Sequence, residues 1–325
     1  MKNAQISLSD YNLYHPPFFL PGGHLQTIVP ALTRKVRLPK PYRRERINTP
    51  DEDFLDLDWL ESGHKKLLIL CHGLEGSSDR PYILGMARHF FNHQFDVLAW
   101  NFRGCSGEIN RAKRMYHSGA TDDLAYVIDH AKRRYDELYL IGFSLGGNLS
   151  LKYLGEKGAN TPIKKAVTFS VPLDLHDGVT LLDQGFNQIY VRRFLNTLKK
   201  KVLLKHAQYP DLIDLSPLSD ISTVYDFDDT YTSRLHGFHG AADYYYQCSS
   251  IRFVQNIMIP TQVINAANDP MIGKIAISKQ PFETNENVQF LLSKSGGHCG
   301  FSGYNNRVLW SEEMALRFIK SQKSH

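Results

Sequence analysis

Apolar residues along the chain gather in short unbroken runs, and between those runs they recur at helical spacing. "KKLLILCHG" and "FDVLAWNFRG" are continuous apolar stretches, which predicts strands buried on both faces. "DFLDLDWL" alternates apolar and polar residues, as an antiparallel strand does. "ELYLIGF", "IKKAVTFSVP", "TQVINAAND" and "VQFLLSKSGG" complete the predicted strands. "RPYILGMARHFFNH" has helical spacing. "TDDLAYVIDHAKRRY" starts at Thr121 and sets Leu124, Val127 and Ile128 on one face, which predicts a capped helix. "LGGNLSLKYLG" reads as a helix ending at Gly155, and "RVLWSEEMALRFIKSQ" as a closing helix. Such alternation predicts an α/β fold with a mostly parallel sheet covered by helices on both faces.

Two stretches break the rhythm. Residues 1–45 are rich in proline and aromatics, then basic, and read as an arm packed on the core. Residues 176–235 are far too long for an ordinary connection, with a basic helical half and an acidic half. They are expected to form a cap inserted between core segments 46–175 and 236–325.

Composition narrows the function classes. A net charge of +5 over 325 residues is too mild for the basic footprint of a nucleic-acid binder. The N-terminus has no apolar h-region, and no run approaches the length of a membrane span, so a cytoplasmic protein is expected. Cys71, Cys105, Cys248 and Cys299 are scattered, which fits reduced thiols and no zinc pattern.

The chemistry centres on "GFSLGGN". Ser144 stands between a predicted strand and a predicted helix, with Gly142 and Gly146 two places on either side. G-x-S-x-G in that context is the nucleophile elbow: glycines relieve a tight turn that lifts the serine hydroxyl clear of the sheet. A serine needs a base and an orienting acid, in the chain order Ser, Asp/Glu, His. Asp269 in "NDPMI" and His298 in "GGHCGF" follow the last two predicted strands and supply them. Asp174 is the rival acid, with a helix or loop cap as its plainer role. Backbone donors for an oxyanion are expected from Leu145, after the elbow, and from Leu74 in "HGLEGSSD", where Gly73 allows the close turn. His72 reads as a structural loop histidine. "VRRFLNTLKKKVLLKH" carries six Lys/Arg, with Val191, Phe194, Leu195, Leu198 and Val202 on one face. It reads first as a cap helix covering the pocket, and second as a peripheral contact with an anionic membrane.

These residues resemble the α/β-hydrolase superfamily and, more narrowly, its YheT-like branch. That branch groups bacterial esterase-like proteins with yeast and animal medium-chain acyl esterases, ester synthases and phospholipases. The resemblance rests on "PPFFLPGGHLQTI", "HGLEGSSDRPY", "NFRGCSGE", "YHSGATDDLAYVIDH", "GFSLGGN", "FDDTYTSRLHGF", "DYYYQCSS", "ANDPMI" and "GGHCGF", and the pattern "FDDTYT…GF…DYY…SS" is the part most specific to the branch. Carried onto matching positions, the resemblance implies a triad of Ser144, Asp269 and His298. The function expected is a cofactor-free serine hydrolase of short- to medium-chain acyl esters or lipids. An acyltransferase using the same triad, or a non-catalytic binding protein of this fold, are the alternatives.

Overall fold

The computed structural model describes residues 14–304 and 307–321. Among them the strands β1 (Arg43–Asn48), β2 (Phe54–Leu60), β3 (Lys66–Cys71), β4 (Asp96–Asn101), β5 (Glu137–Phe143), β6 (Ile163–Phe169), β7 (Thr261–Ala266) and β8 (Val288–Ser293) form one sheet. Their order is β1-β2-β4-β3-β5-β6-β7-β8. The pairs β1/β2 and β2/β4 are antiparallel; all pairs from β4 to β8 are parallel. The helices are α1 (Gly22–Thr33), α2 (Pro81–Phe91), α3 (Thr121–Ala131), α4 (Leu145–Lys157), α5 (Leu175–Leu182), α6 (Gln188–Gln208), α7 (Val224–Phe227), α8 (Ser233–His236), α9 (Ala241–Cys248) and α10 (Trp310–Lys320).

Helices cover both faces, which explains the unbroken apolar strands. Leu67, Ile69 and Cys71 of β3 pack with Leu124 and Val127 of α3 and Leu149 of α4. Leu68 and Leu70 pack on the opposite side with Met86 and Phe90 of α2 and Ala315 of α10. The alternation of β2 has a different cause from solvent exposure. Asp56 and Asp58 are 2% exposed, held bidentately by Arg46 and Arg44 of β1 at 2.7–2.8 Å. The basic stretch read as part of the arm therefore contributes an edge strand whose arginines neutralise buried carboxylates.

Two helix ends differ from the sequence reading. Thr121 does not cap α3: it lies inside the first turn, Ala120 holds the cap position, and no side chain bonds there. Nor does α4 stop at Gly155; it continues to Lys157 and ends before Gly158, whose φ is 51°. Gly155 is a packing residue, since a Cβ there would lie 2.2 Å from the Phe253 carbonyl oxygen.

Between β6 and β7 the chain is helical. Residues from α5 to α8 gather around an apolar cluster of Leu182, Val191, Leu195, Leu198, Val202, Val224 and Phe227. Two cations of α6 turn inward. Lys201 pairs with Glu75 at 2.6 Å, and buried Lys205 bonds the carbonyls of Asn110 and Ala112 at 2.6 and 2.5 Å.

Candidate active site

Strand β5 ends one residue before Ser144, and α4 begins one residue after it. Ser144 has φ 53° and ψ −121°, a region that a non-glycine residue occupies only under constraint. The constraint is close packing around the turn. A Cβ on Gly146 would meet the carbonyl oxygens of His72 and Cys71 at 2.4 and 2.6 Å, and one on Gly142 would meet the Gly146 carbonyl at 2.4 Å. Glycine at both places lets β3, β5 and α4 converge beneath the hydroxyl.

The structure brings Ser144, His298 and Asp269 together. Ser144 Oγ lies 2.9 Å from His298 Nε2, and His298 Nδ1 lies 3.0 Å from both Asp269 carboxylate oxygens. A carboxylate facing Nδ1 requires the proton there, so Nε2 is left to accept from the serine hydroxyl. Burial disfavours an imidazolium, but the charge and hydrogen bond of Asp269, added to those of Cys299, outweigh it and hold His298 well above its ordinary pKa. Asp269 Oδ1 also accepts from the Met271 amide at 2.9 Å, which fixes the acid's orientation.

Leu74 and Leu145 meet at the same place. Both line a cavity with Ser144. Leu145 is the first residue of α4, where amides lack an intrahelical acceptor. In the preceding loop the Gly73 amide donates to Tyr82 Oη, that of Glu75 to Tyr116 Oη and that of Gly76 to the Gly73 carbonyl. The Leu74 amide between them has no acceptor among the described residues. A side-chain carbon on Gly73 would stand 3.1 Å from Ser144 Cβ, so this loop runs close over the elbow.

His72 is built into the scaffold. The Phe102 amide donates to Nε2 at 3.1 Å, and Nδ1 donates to the Gly73 carbonyl at 2.8 Å. That pattern needs a neutral ring, and burial pushes its pKa down to about 3. Asp174 caps α5, accepting from the Asp177 amide at 3.0 Å. Among the described residues no three His, Cys, Asp or Glu side chains form a metal-binding group.

Sequence reasoning missed what holds His298 in place. Four consecutive amides of the His298 loop are each caught by a side chain from elsewhere. Gly296 donates to Gln26 Oε1, Gly297 to Asn268 Oδ1, His298 to Thr27 Oγ1 and Cys299 to Ser170 Oγ, all at 2.8–3.1 Å. Gln26 Oε1 accepts from Asn268 as well, tying the loops of Asp269 and His298 together. Helix α1 thus buttresses the site. Its residues stood in the sequence only as part of the resemblance motif "PPFFLPGGHLQTI".

Two cavities meet at Ser144 and share Leu74, Phe194 and Met271 as walls. The inner one, about 90 Å³, is largely apolar, with Leu175, Val179, Leu182, Leu198 and Val224 from the cap side. Its polar corner is Asp228, which burial pushes up to about 6 and which accepts from Thr232 and Tyr245 hydroxyls. Tyr244 and Tyr245 line it, whereas Tyr246 is exposed. The outer cavity, about 340 Å³, is the one that His298 lines.

Comparison with known proteins agrees with this architecture. The family profile described as "alpha/beta hydrolase fold" matches residues 66–302. "Putative esterase YheT" of Escherichia coli (strain K12) is 37% identical over 314 residues, 92% of each chain. "Phospholipase ABHD3" of Mus musculus is 30% identical over 327 residues, covering 96% of this chain and 79% of its own. "Monoacylglycerol lipase ABHD2" of Mus musculus is 30% identical over 330 residues, covering 93% and 76%. Among solved structures, the esterase Pf2001 of Pyrococcus furiosus has a TM-score of 0.57 at 17% identity, over 86% of this chain and 90% of that one. No helix of the described residues is long and apolar enough to cross a membrane.

Proposed function

The chain belongs to the alpha/beta hydrolase fold family, and from that premise we propose that it is a serine hydrolase of carboxylic esters, working through Ser144, His298 and Asp269. The observation that carries this reading is the continuous hydrogen-bond chain from Ser144 Oγ through His298 to Asp269, placed where two cavities meet. In the proposed reaction Nε2 takes the Ser144 proton as Oγ attacks the ester carbonyl. The carbonyl oxygen becomes an oxyanion between the Leu74 and Leu145 amides. Collapse breaks the bond to the alcohol oxygen, which leaves with the proton from Nε2. Water then attacks the acyl-enzyme with the same base, releasing the acid and restoring Ser144. Asp269 keeps the ring in the useful tautomer and stabilises its cation. These steps call on no cofactor.

The inner cavity is the proposed acyl site. Its volume of about 90 Å³ is below the ~150 Å³ of an engineered apolar cavity that admits benzene, which favours a short acyl chain. The esterase and lipase names of its relatives support an ester or lipid substrate. The test is hydrolysis of p-nitrophenyl esters from acetyl to palmitoyl, wild type beside Ser144→Ala. Expected is a preference for the shorter acyl chains and a loss of at least about 10⁴-fold in the variant. Equal rates in both proteins would remove Ser144 from its role. Ester product formed from an added alcohol, in place of acid, would reassign the second step to acyl transfer.

A further inference from the structure

Resting on that ester-hydrolase reading, we propose that the outer cavity selects esters whose alcohol half carries an anionic group, a phosphate or a carboxylate, through Arg80 and Arg193. The direction follows from the chemistry. The base that activates Ser144 must also protonate the departing oxygen, so the alcohol half lies on the side of His298. His298 lines the outer cavity and is absent from the walls of the inner one.

The charges of that cavity are unbalanced. Its walls include three arginines, Arg34, Arg80 and Arg193, and one carboxylate, Glu75. Arg34 is spent on buried Glu312 at 2.7 Å. Glu75 is spent on Lys201 and the Tyr116 hydroxyl, both at 2.6 Å. Arg80 donates one N–H to the Glu75 carbonyl at 2.7 Å, which fixes it beside the Leu74 loop. No carboxylate among the described residues pairs with Arg80 or Arg193. Both guanidinium groups line the same cavity, Arg193 from an exposed position on its rim, and partial desolvation together with the charge of Arg80 lowers the pKa of Arg193. Like charges held together at the mouth of a reaction site are relieved by an anion placed between them, and planar guanidinium forks suit phosphate and carboxylate oxygens. Phe194 follows Arg193 on α6 and walls both cavities, so this cation stands one residue from the ester's position.

The test compares 1-butyrylglycerol 3-phosphate with uncharged 1-butyrylglycerol, which share the acyl group and the scissile bond. The wild type is expected to favour the phosphorylated ester in kcat/KM by roughly ten- to a hundredfold, the range of charge-assisted hydrogen bonds, and less at high salt. Arg193→Gln should bring that ratio toward one, chiefly through KM, and Arg193→Lys should recover part of it. Lys132→Gln, an exposed cation of α3 paired with Asp129, should leave the ratio as it was. A ratio at or below one in the wild type, or one that Arg193→Gln does not move, overturns the proposal. Comparing 1-butyrylglycerol 3-phosphate in solution with dioctanoyl phosphatidate held in vesicles separates a free phosphorylated alcohol from a lipid headgroup. Loss of turnover on both esters would defeat the hydrolase reading instead. Calorimetry with Ser144→Ala then decides the anion site alone: tighter binding of the phosphate ester, lost with Arg193→Gln, upholds it, and equal binding of both esters sinks it.

Discussion

At the scale of single residues, the account rests on one imidazole held in one orientation. His298 is placed by Asp269 on one side and by the Thr27 hydroxyl accepting its amide on the other. Thr27→Val would leave that N–H without its acceptor, a cost of about 1–3 kcal/mol. The expected result is a fall in kcat of about tenfold or more with KM little changed, rescued by Thr27→Ser. A rise in KM alone would show that Thr27 serves packing and not the base. The raised pKa of His298 fixes the sign of the pH dependence. Activity should grow as pH rises through that pKa, because only the neutral ring accepts the serine proton. Asp269→Asn should move the midpoint to lower pH and reduce kcat by about 10⁴-fold. A midpoint that stays in place would contradict the assignment of Asp269 as the charge facing the ring. The placement of Ser144, Asp269 and His298 was legible in the sequence, because each sits at a strand end with a local signature. Thr27 was not, since it meets His298 across 271 positions of chain and no local pattern announces such a contact.

At the scale of elements, buried ionic contacts fix the loops over the sheet. Arg103, fully buried, reaches Asp53 at 2.6 Å and Asp123 at 2.7 Å, joining the turn before β2 to the start of α3. Removing it leaves buried Asp53 without its ion-pair partner and Asp123 with Arg114 alone, so Arg103→Ala should destabilise the fold by about 3 kcal/mol, whereas an exposed change such as Lys132→Ala should stay within about 0.5 kcal/mol. Urea unfolding measures both, and equal midpoints would show that the cluster contributes nothing net. The order of strands and helices was legible because strands covered on both faces carry unbroken apolar runs. β1 escaped notice since "RRERIN" has the composition of a solvated tail; its arginines are recruited by Asp56 and Asp58, which the alternation of β2 presented as surface positions. Helix α6 shows the same effect. Its lysines read as a charged outer face, yet Lys201 and Lys205 are drawn inward by Glu75 and by two carbonyls. Of the other four cations of this helix, Arg192, Arg193 and Lys200 are exposed and Lys199 is half-buried.

At the scale of the whole molecule, neutral buried histidines set the pH range of stability. His72 accepts from the Phe102 amide and His117 from the Gly119 amide, and burial lowers both pKa values. Below their unfolded pKa near 6.5 the unfolded chain binds more protons than the native one. Stability should therefore fall as pH drops from about 6.5 toward 5, by up to about 1.4 kcal/mol per pH unit for each histidine. His298 has the opposite sign: its contribution is complete below about 6.5 and is lost as pH rises through its raised pKa. Urea unfolding between pH 5 and 9 should show a maximum near neutrality, and a flat profile below 6.5 would mean that His72 and His117 are protonated in the native state. The two cavities, by contrast, belong to no single segment. They arise where the Leu74 loop and α6 close around Ser144, with α1 walling the outer one, so the sequence pointed to Ser144 but not to the division of space around it. The central claim is that Ser144 is a nucleophile activated by His298, and labelling with a fluorophosphonate probe followed by peptide mass spectrometry addresses it most directly. The account predicts modification of Ser144 in the wild type, slowed by at least about a thousandfold in His298→Ala. Modification elsewhere, or at Ser144 with the same rate in both proteins, would contradict it.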